Sequence, residues 1–187
     1  MKNTLLILMM LLAGFELAQA QRHLQGQKGI ELSVGRVWNE NFLPTPFYLH
    51  VGMTVAKKKG NYLLWAAEYS HRKYAFESVE IPVESYTAEG SHNLYVLGDW
   101  TRTVSLYMGL GAVAGYEIIN DSKKVLPMGA VILNEDRFIY GGGVRLSLET
   151  YLGNRVVLLV QGKARYVMGT TLERFRPGAG VGMRFIF

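Results

Sequence analysis

The stretch Pro177-Gly-Ala-Gly-Val-Gly-Met-Arg-Phe-Ile-Phe187 decides how this chain is read. Taken with a period of two, Ala179, Val181, Met183, Phe185 and Phe187 fall on one face, and Gly178, Gly180, Gly182 and Arg184 fall on the other. One face is continuously apolar; the other is almost bare except for a single charge. Alternation of this kind is the signature of a strand. The two faces suit a wall with lipid on one side and a tight polar lumen on the other. Alone, the segment also fits the edge of an ordinary sandwich.

The same pattern recurs throughout the chain in units of about ten to fourteen residues. Gly29–Trp38 sets Ile30, Leu32 and Val34 against Glu31, Ser33 and Gly35. Pro46–Ala56 opposes Phe47, Leu49, Val51, Met53 and Val55 to Tyr48, His50, Gly52 and Thr54. Tyr62–His71 follows the turn Lys57-Lys58-Lys59-Gly60-Asn61. Arg72 to Glu84, which contains Pro82, reads as a polar connection to a weaker unit at Ser85–Leu97. Thr103–Ile118, a unit around Tyr140–Glu149, and Arg155–Met168 precede the closing stretch. The spacing predicts eight strands. Connections after the second, fourth and sixth are short, whereas that after the fifth, Asn120 to Asp136, is the longest. Alternating short turns and long loops are characteristic of outer-membrane barrels. An even strand count puts both termini on one side, here the periplasm.

Two orientations of the faces compete. A soluble, lipocalin-like barrel would turn the aliphatic faces inward; a membrane barrel turns them outward. The polar faces carry Gly35, Gly52, Gly109, Gly111, Gly115, Gly141, Gly143, Gly178, Gly180 and Gly182. On a solvated surface so many glycines weaken strands without return. In a narrow eight-stranded lumen they make room for large neighbours. Glu31, Glu68, Arg145, Glu149, Lys163, Arg165 and Arg184 fall on the same side, and are expected to form a paired charge network there. Glu31 should meet Arg184 where the first and last strands close the barrel, and Arg145 should lie near Gln161. Trp38, Phe47, Tyr140, Tyr151, Tyr166, Phe175 and Phe185 are candidates for interfacial girdles.

The chain has 187 residues, 19% charged and 49% hydrophobic, with a formal charge of +5. That composition excludes both a disordered chain and a helical membrane protein. Residues 1–20 read as a signal peptide: Lys2, an apolar run from Leu5 to Phe15, then Ala18-Gln19-Ala20. Cleavage between Ala20 and Gln21 leaves a barrel domain at 21–187. With no cysteine, disulfides, thiolate metal sites and a lipid-modified N-terminus are ruled out. The aromatic terminus Phe187 is a candidate signal for outer-membrane assembly.

Catalytic motifs are missing: no Gly-x-Ser-x-Gly, no His-Glu-x-x-His and no phosphate loop. A lipid hydrolase on the barrel wall would need His, Ser and a carboxylate together, and Glu68, Ser70 and His71 are the nearest set. Adjacent strand residues point to opposite faces, so Ser70 and His71 do not meet without a bulge. Asp99, Asp121 and Asp136 are too scattered for a calcium site. No cofactor, metal or catalytic residue is assigned.

The segments Leu97-Gly98-Asp99-Trp100, Gly109–Glu117, Leu126-Pro127-Met-Gly-Ala130, Tyr140–Tyr151 and Gly182–Phe187 together resemble the conjugal transfer protein TraO family of Bacteroides-type conjugative transposons. The resemblance spans the chain after the signal peptide and is most specific over 94–187. It implies an envelope component of a conjugative, type IV secretion-like apparatus and brings no catalytic residues.

The reading is therefore all-β: an eight-stranded antiparallel up-and-down transmembrane β-barrel, exported to the outer membrane, with a structural or anchoring role and no enzyme activity. Its expected partners are outer-membrane lipid and envelope proteins of the apparatus, met through Arg72–Glu84, Asn120–Asp136 or the periplasmic turns. No direct contact with nucleic acid is expected, because the basic residues are scattered. The alternatives are a barrel enzyme acting on lipid A and a soluble ligand-binding barrel.

Overall fold

The computed structural model describes residues 25–38, 46–76, 79–99, 103–120 and 136–187. The expected signal peptide with its Ala20–Gln21 boundary, Asp121 and most of the expected Asn120–Asp136 loop lie outside these residues. Eight strands run in chain order: β1 (Lys28–Val37), β2 (Phe47–Ala56), β3 (Tyr62–Phe76), β4 (Val79–Gly98), β5 (Val104–Ile119), β6 (Arg137–Tyr151), β7 (Val156–Met168) and β8 (Phe175–Ile186). Each pairs antiparallel with its neighbours in sequence, and β8 closes on β1 from Gly29↔Ile186 to Val37↔Gly178. Closure removes the free edges that an open sheet would leave. Among the described residues no helix is long and apolar enough to cross a membrane.

The faces are those of a membrane-spanning barrel. On β1, Ile30, Leu32 and Val34 are each close to half exposed, while Glu31 and Ser33 between them are buried. The alternation continues on β2, with Leu49, Val51 and Met53 outside and Tyr48, His50 and Thr54 inside. On β8 Val181, Met183 and Phe185 face out, and Arg184 faces in. A soluble barrel has the reverse arrangement, so the apolar exterior needs lipid. Of the expected girdle aromatics, Trp38, Phe47, Tyr140, Tyr166, Phe175 and Phe185 are exposed. Tyr151 is not: it ends β6 at inward parity and its hydroxyl reaches Glu149 at 3.5 Å.

The connections 57–61, 99–103 and 152–155 share one end of the barrel, here the short-turn end. There the lumen is closed by inward apolar side chains, Tyr62, Leu64 and Tyr107 on one side and Tyr151, Val157, Leu159 and Ile186 on the other. Aspartates close two hairpin connections. Asp99 Oδ1 accepts the Val104 N–H at 2.8 Å, and Asp136 Oδ1 accepts the Ile119 N–H at 2.9 Å.

One expected loop is strand. Arg72 to Glu84, read as a polar connection because of its charges and Pro82, continues the β3–β4 ladder from His71↔Glu84 to Phe76↔Val79. Pro82 is tolerated because β4 pairs with β5 only from Val83↔Ile119 onward. At Pro82 the missing N–H removes no bond to β5, the position in which a sheet accepts proline.

Candidate functional site

The lumen is the candidate site. Arg184 of β8 lies between two carboxylates. It donates to Glu31 Oε2 at 2.8 Å from one terminal nitrogen, and to Glu149 Oε2 at 2.7 Å from the other. Its guanidinium also stacks 4.3 Å from the Tyr62 ring centroid, and the Tyr62 hydroxyl donates to Glu149 at 2.8 Å. Glu31 and Arg184 are cross-strand partners at the β1–β8 closure, so this ion pair follows directly from register. Both Glu31 and Glu149 are 1% exposed or less. Buried charges of this kind are tolerated only when nearly all their bonding capacity is used.

From Glu31 the charges continue in alternation. Arg145 of β6 donates to Glu31 at 3.0 Å and to Glu89 of β4 at 3.2 Å. Arg165 of β7 binds Glu89 and also donates to Glu68 Oε1 at 2.6 Å. Lys163, next inward on β7, ends the series on Glu68, with its ammonium 3.1 Å from the Tyr48 ring centroid. The order is Glu149, Arg184, Glu31, Arg145, Glu89, Arg165, Glu68, Lys163. Four carboxylates alternate with four cations, so the chain is neutral. His50 of β2 flanks it, with Nδ1 3.4 Å from Glu68 and Nε2 3.7 Å from Glu31.

Bare backbone makes the room. Gly143 pairs with Arg165, and a Cβ there would stand 2.8 Å from the Arg165 Cγ. Gly180 lies under Tyr48, whose hydroxyl would be 2.3 Å from an added Cβ. The glycine face of the closing stretch is thus the floor on which large inward side chains rest. Cavities beside the charges are small, about 10 Å³ next to Glu89 and Arg145 and about 30 Å³ between Glu68 and Arg176. The larger admits about one water molecule.

A second, separate cluster occupies the other end of the lumen. The Glu117 carboxylate of β5 accepts from Arg72 at 2.6 Å, Arg176 at 2.7 Å, Thr170 at 2.6 Å and Ser85 at 3.2 Å. Here one carboxylate serves two guanidinium groups.

All seven charged residues singled out in the sequence (Glu31, Glu68, Arg145, Glu149, Lys163, Arg165 and Arg184) point into the lumen and are joined in the first network. Glu89, its middle link, was missed because the outer face of β4 carries Glu84, Ala88, Gly90 and His92 and hides the alternation. Counting by twos from Ser85 would have found it. Arg72 lay in the presumed connection, Arg176 one residue before the closing stretch, and Glu117 two past the last glycine assigned inward on β5. Gln161 is not the neighbour of Arg145. The β6–β7 register pairs Arg145 with Lys163 and Gln161 with Ser147, because the turn occupies only 152–155 and Tyr151 already pairs with Val157.

The hydrolase set does not assemble. Ser70 is buried on the lumen face, and Glu68 beside it is bonded to Lys163 and Arg165. His71 faces outward, with Nδ1 3.8 Å from Glu84. Phe187 lies outside, 66% exposed, its N–H donating to the Lys28 carbonyl at 2.9 Å.

Solved structures that share this architecture include two bacterial proteins. Ail, the attachment invasion locus protein of Yersinia pestis, is 14% identical with a TM-score of 0.56, covering 88% of this chain and 100% of its own. Neisserial surface protein A is 16% identical with a TM-score of 0.55, covering 87% and 98% respectively. At such identities the likeness is one of fold. No curated protein matches the sequence. The family model of the conjugative transposon protein TraO matches residues 24–187, and the chain belongs to that family.

Proposed function

We propose that this protein is an outer-membrane component of a conjugative DNA-transfer apparatus, a type IV secretion-like machine, in which it serves as a structural anchor. The observation that carries the reading is the combination of a lipid-compatible exterior with a lumen filled by bonded charge. Such a body holds a position in a bilayer and leaves no passage for a solute. Family membership supplies the setting.

Anchoring directs the search for partners to the surfaces outside the lipid belt. Other envelope proteins of the apparatus meet the loops or the short turns, and lipid surrounds the wall. Direct nucleic-acid binding has no part in this reading, since the buried cations are committed to carboxylates. The chain is exported by residues 1–20 and cleaved before Gln21, and both termini are periplasmic. Phe187 acts as the assembly signal.

Deletion from a conjugative element is expected to lower transfer frequency, with restoration by the intact chain. The protein is expected in the outer-membrane fraction, beginning at Gln21 by N-terminal sequencing. Undiminished transfer, or recovery from the soluble periplasm, overturns the reading. Removal of Phe187 is expected to reduce the inserted, heat-modifiable form while leaving the lumen chemistry unchanged.

A further inference from the structure

Among the described residues, the short-turn end of the barrel carries an arc of basic side chains. Lys28 begins β1, Lys57, Lys58 and Lys59 form the β2–β3 turn, and Arg155 precedes β7; all of them are exposed. They lie along a continuous arc of the rim, because β7, β8, β1, β2 and β3 are successive neighbours. Backbone bonds tie the arc together: the Phe187 N–H donates to the Lys28 carbonyl at 2.9 Å, and the Ile186 N–H to the Arg155 carbonyl at 2.7 Å. Asp99, an exposed acid described on this rim, belongs to the β4–β5 connection outside the arc.

The lysine turn is held in shape. The Lys57 N–H donates to the Asn61 carbonyl at 2.7 Å, and the Asn61 side chain accepts the Tyr95 N–H at 3.0 Å. Within it Lys59 has φ 62°, in the left-handed region where glycine or asparagine sits with less strain. Its side chain is exposed, so packing does not offset that strain. What a lysine adds at this position is its charge.

Depth identifies the ligand. Val55 is the last outward apolar position of β2, and Lys57 follows two residues later, about 7 Å along an extended chain. The headgroup layer beyond the hydrocarbon is about 5–7 Å thick on each side. Trp65, which is 60% exposed on the adjacent wall and paired with Met53, is placed like an interfacial anchor. Flexible lysine stems at that level reach lipid phosphates directly.

We propose that Lys28, Lys57, Lys58, Lys59 and Arg155 form a binding surface for the phosphates of anionic phospholipids in the leaflet around the short-turn end. The proposal rests on the membrane placement given above. The bound headgroups fix the barrel's depth and resist axial pull, as an anchor in a large assembly requires.

The test uses the full chain refolded into vesicles. Heat-modifiable migration after insertion into phosphatidylcholine comes first; failure at this step counts against the membrane reading itself. With Trp38→Phe and Trp100→Phe, Trp65 then reports quenching by brominated phosphatidylglycerol against brominated phosphatidylcholine at equal mole fraction. A preference of roughly three- to tenfold for phosphatidylglycerol is expected, falling toward one at high salt. Lys57→Gln/Lys58→Gln/Lys59→Gln is expected to abolish it. Lys59→Gly removes one charge while relaxing the backbone, and is expected to weaken the preference in a fully folded barrel. Equal quenching by the two lipids, or a preference retained by the triple variant, overturns the proposal. Salt-sensitive binding of polyglutamate without any lipid preference also overturns it, in favour of an acidic protein partner.

Discussion

Near the short turns Arg184 shares one guanidinium between Glu31 and Glu149, whereas near the long loops Glu117 shares one carboxylate between Arg72 and Arg176. The first arrangement extends into a neutral chain, in which every interior member has two opposite partners. The second is a hub, with cations in excess and two hydroxyls completing the carboxylate's shell. A chain spreads the consequence of losing one member over neighbours that retain another bond. A hub concentrates it. Position works the other way, since the hub lies at the end of the lumen nearer the loops, and the Arg184 end is sealed by Tyr62, Tyr107 and Tyr151.

Substitution separates connectivity from position. Arg184→Met is expected to have the largest effect, because it leaves two carboxylates buried behind the aromatic seal with their strongest partner gone. Loss of one member of a buried pair costs about 3–5 kcal/mol. Denaturant unfolding of the refolded barrel measures it, and a loss below 1 kcal/mol would show that water replaces the guanidinium there. Glu117→Gln is expected to follow at about 1–3 kcal/mol, since the amide oxygen still accepts while both arginines lose their counter-charge. Its effect should be local. Amide exchange is expected to rise at the loop ends of β3, β5 and β8, with protection near Arg184 unchanged.

Glu89→Gln examines the chain at its middle. Arg145 keeps Glu31 and Arg165 keeps Glu68, so the expected loss is smaller, about 1–2 kcal/mol by the same unfolding measurement. A loss equal to that of Arg184→Met would mean that the chain acts as one cooperative unit. The smallest change expected is Lys59→Gly, which relieves a left-handed lysine outside both networks and should stabilise the barrel by up to about 1 kcal/mol. It serves as the baseline against which the lumen variants are compared.

The outer wall and the chain network were legible in sequence to different degrees. Alternation in β1, β2, β5, β7 and β8 marks lipid-facing from inward residues, since a strand's side-chain period is a local property. It weakens on β4, where alanine, glycine and histidine occupy outward positions, and Glu89 was lost with it. Around residues 72–84 charge and proline imitate a loop. The ladder persists there because β3 offers a partner strand, and β5 does not reach Pro82.

Sequence by itself determined the eight-strand alternation, the inward placement of Glu31 and Arg184 and the glycine face of Pro177–Phe187. Each depends only on parity along one strand or on the order in which strands close. Tertiary structure decided which charges meet across the lumen. Arg145 reaches Glu31 and Glu89 rather than its register partner Lys163, and Arg165 joins Glu89 to Glu68. These contacts depend on the shear of the closed barrel, which sets the height at which distant strands face one another, and on long side chains bridging the space left by glycine.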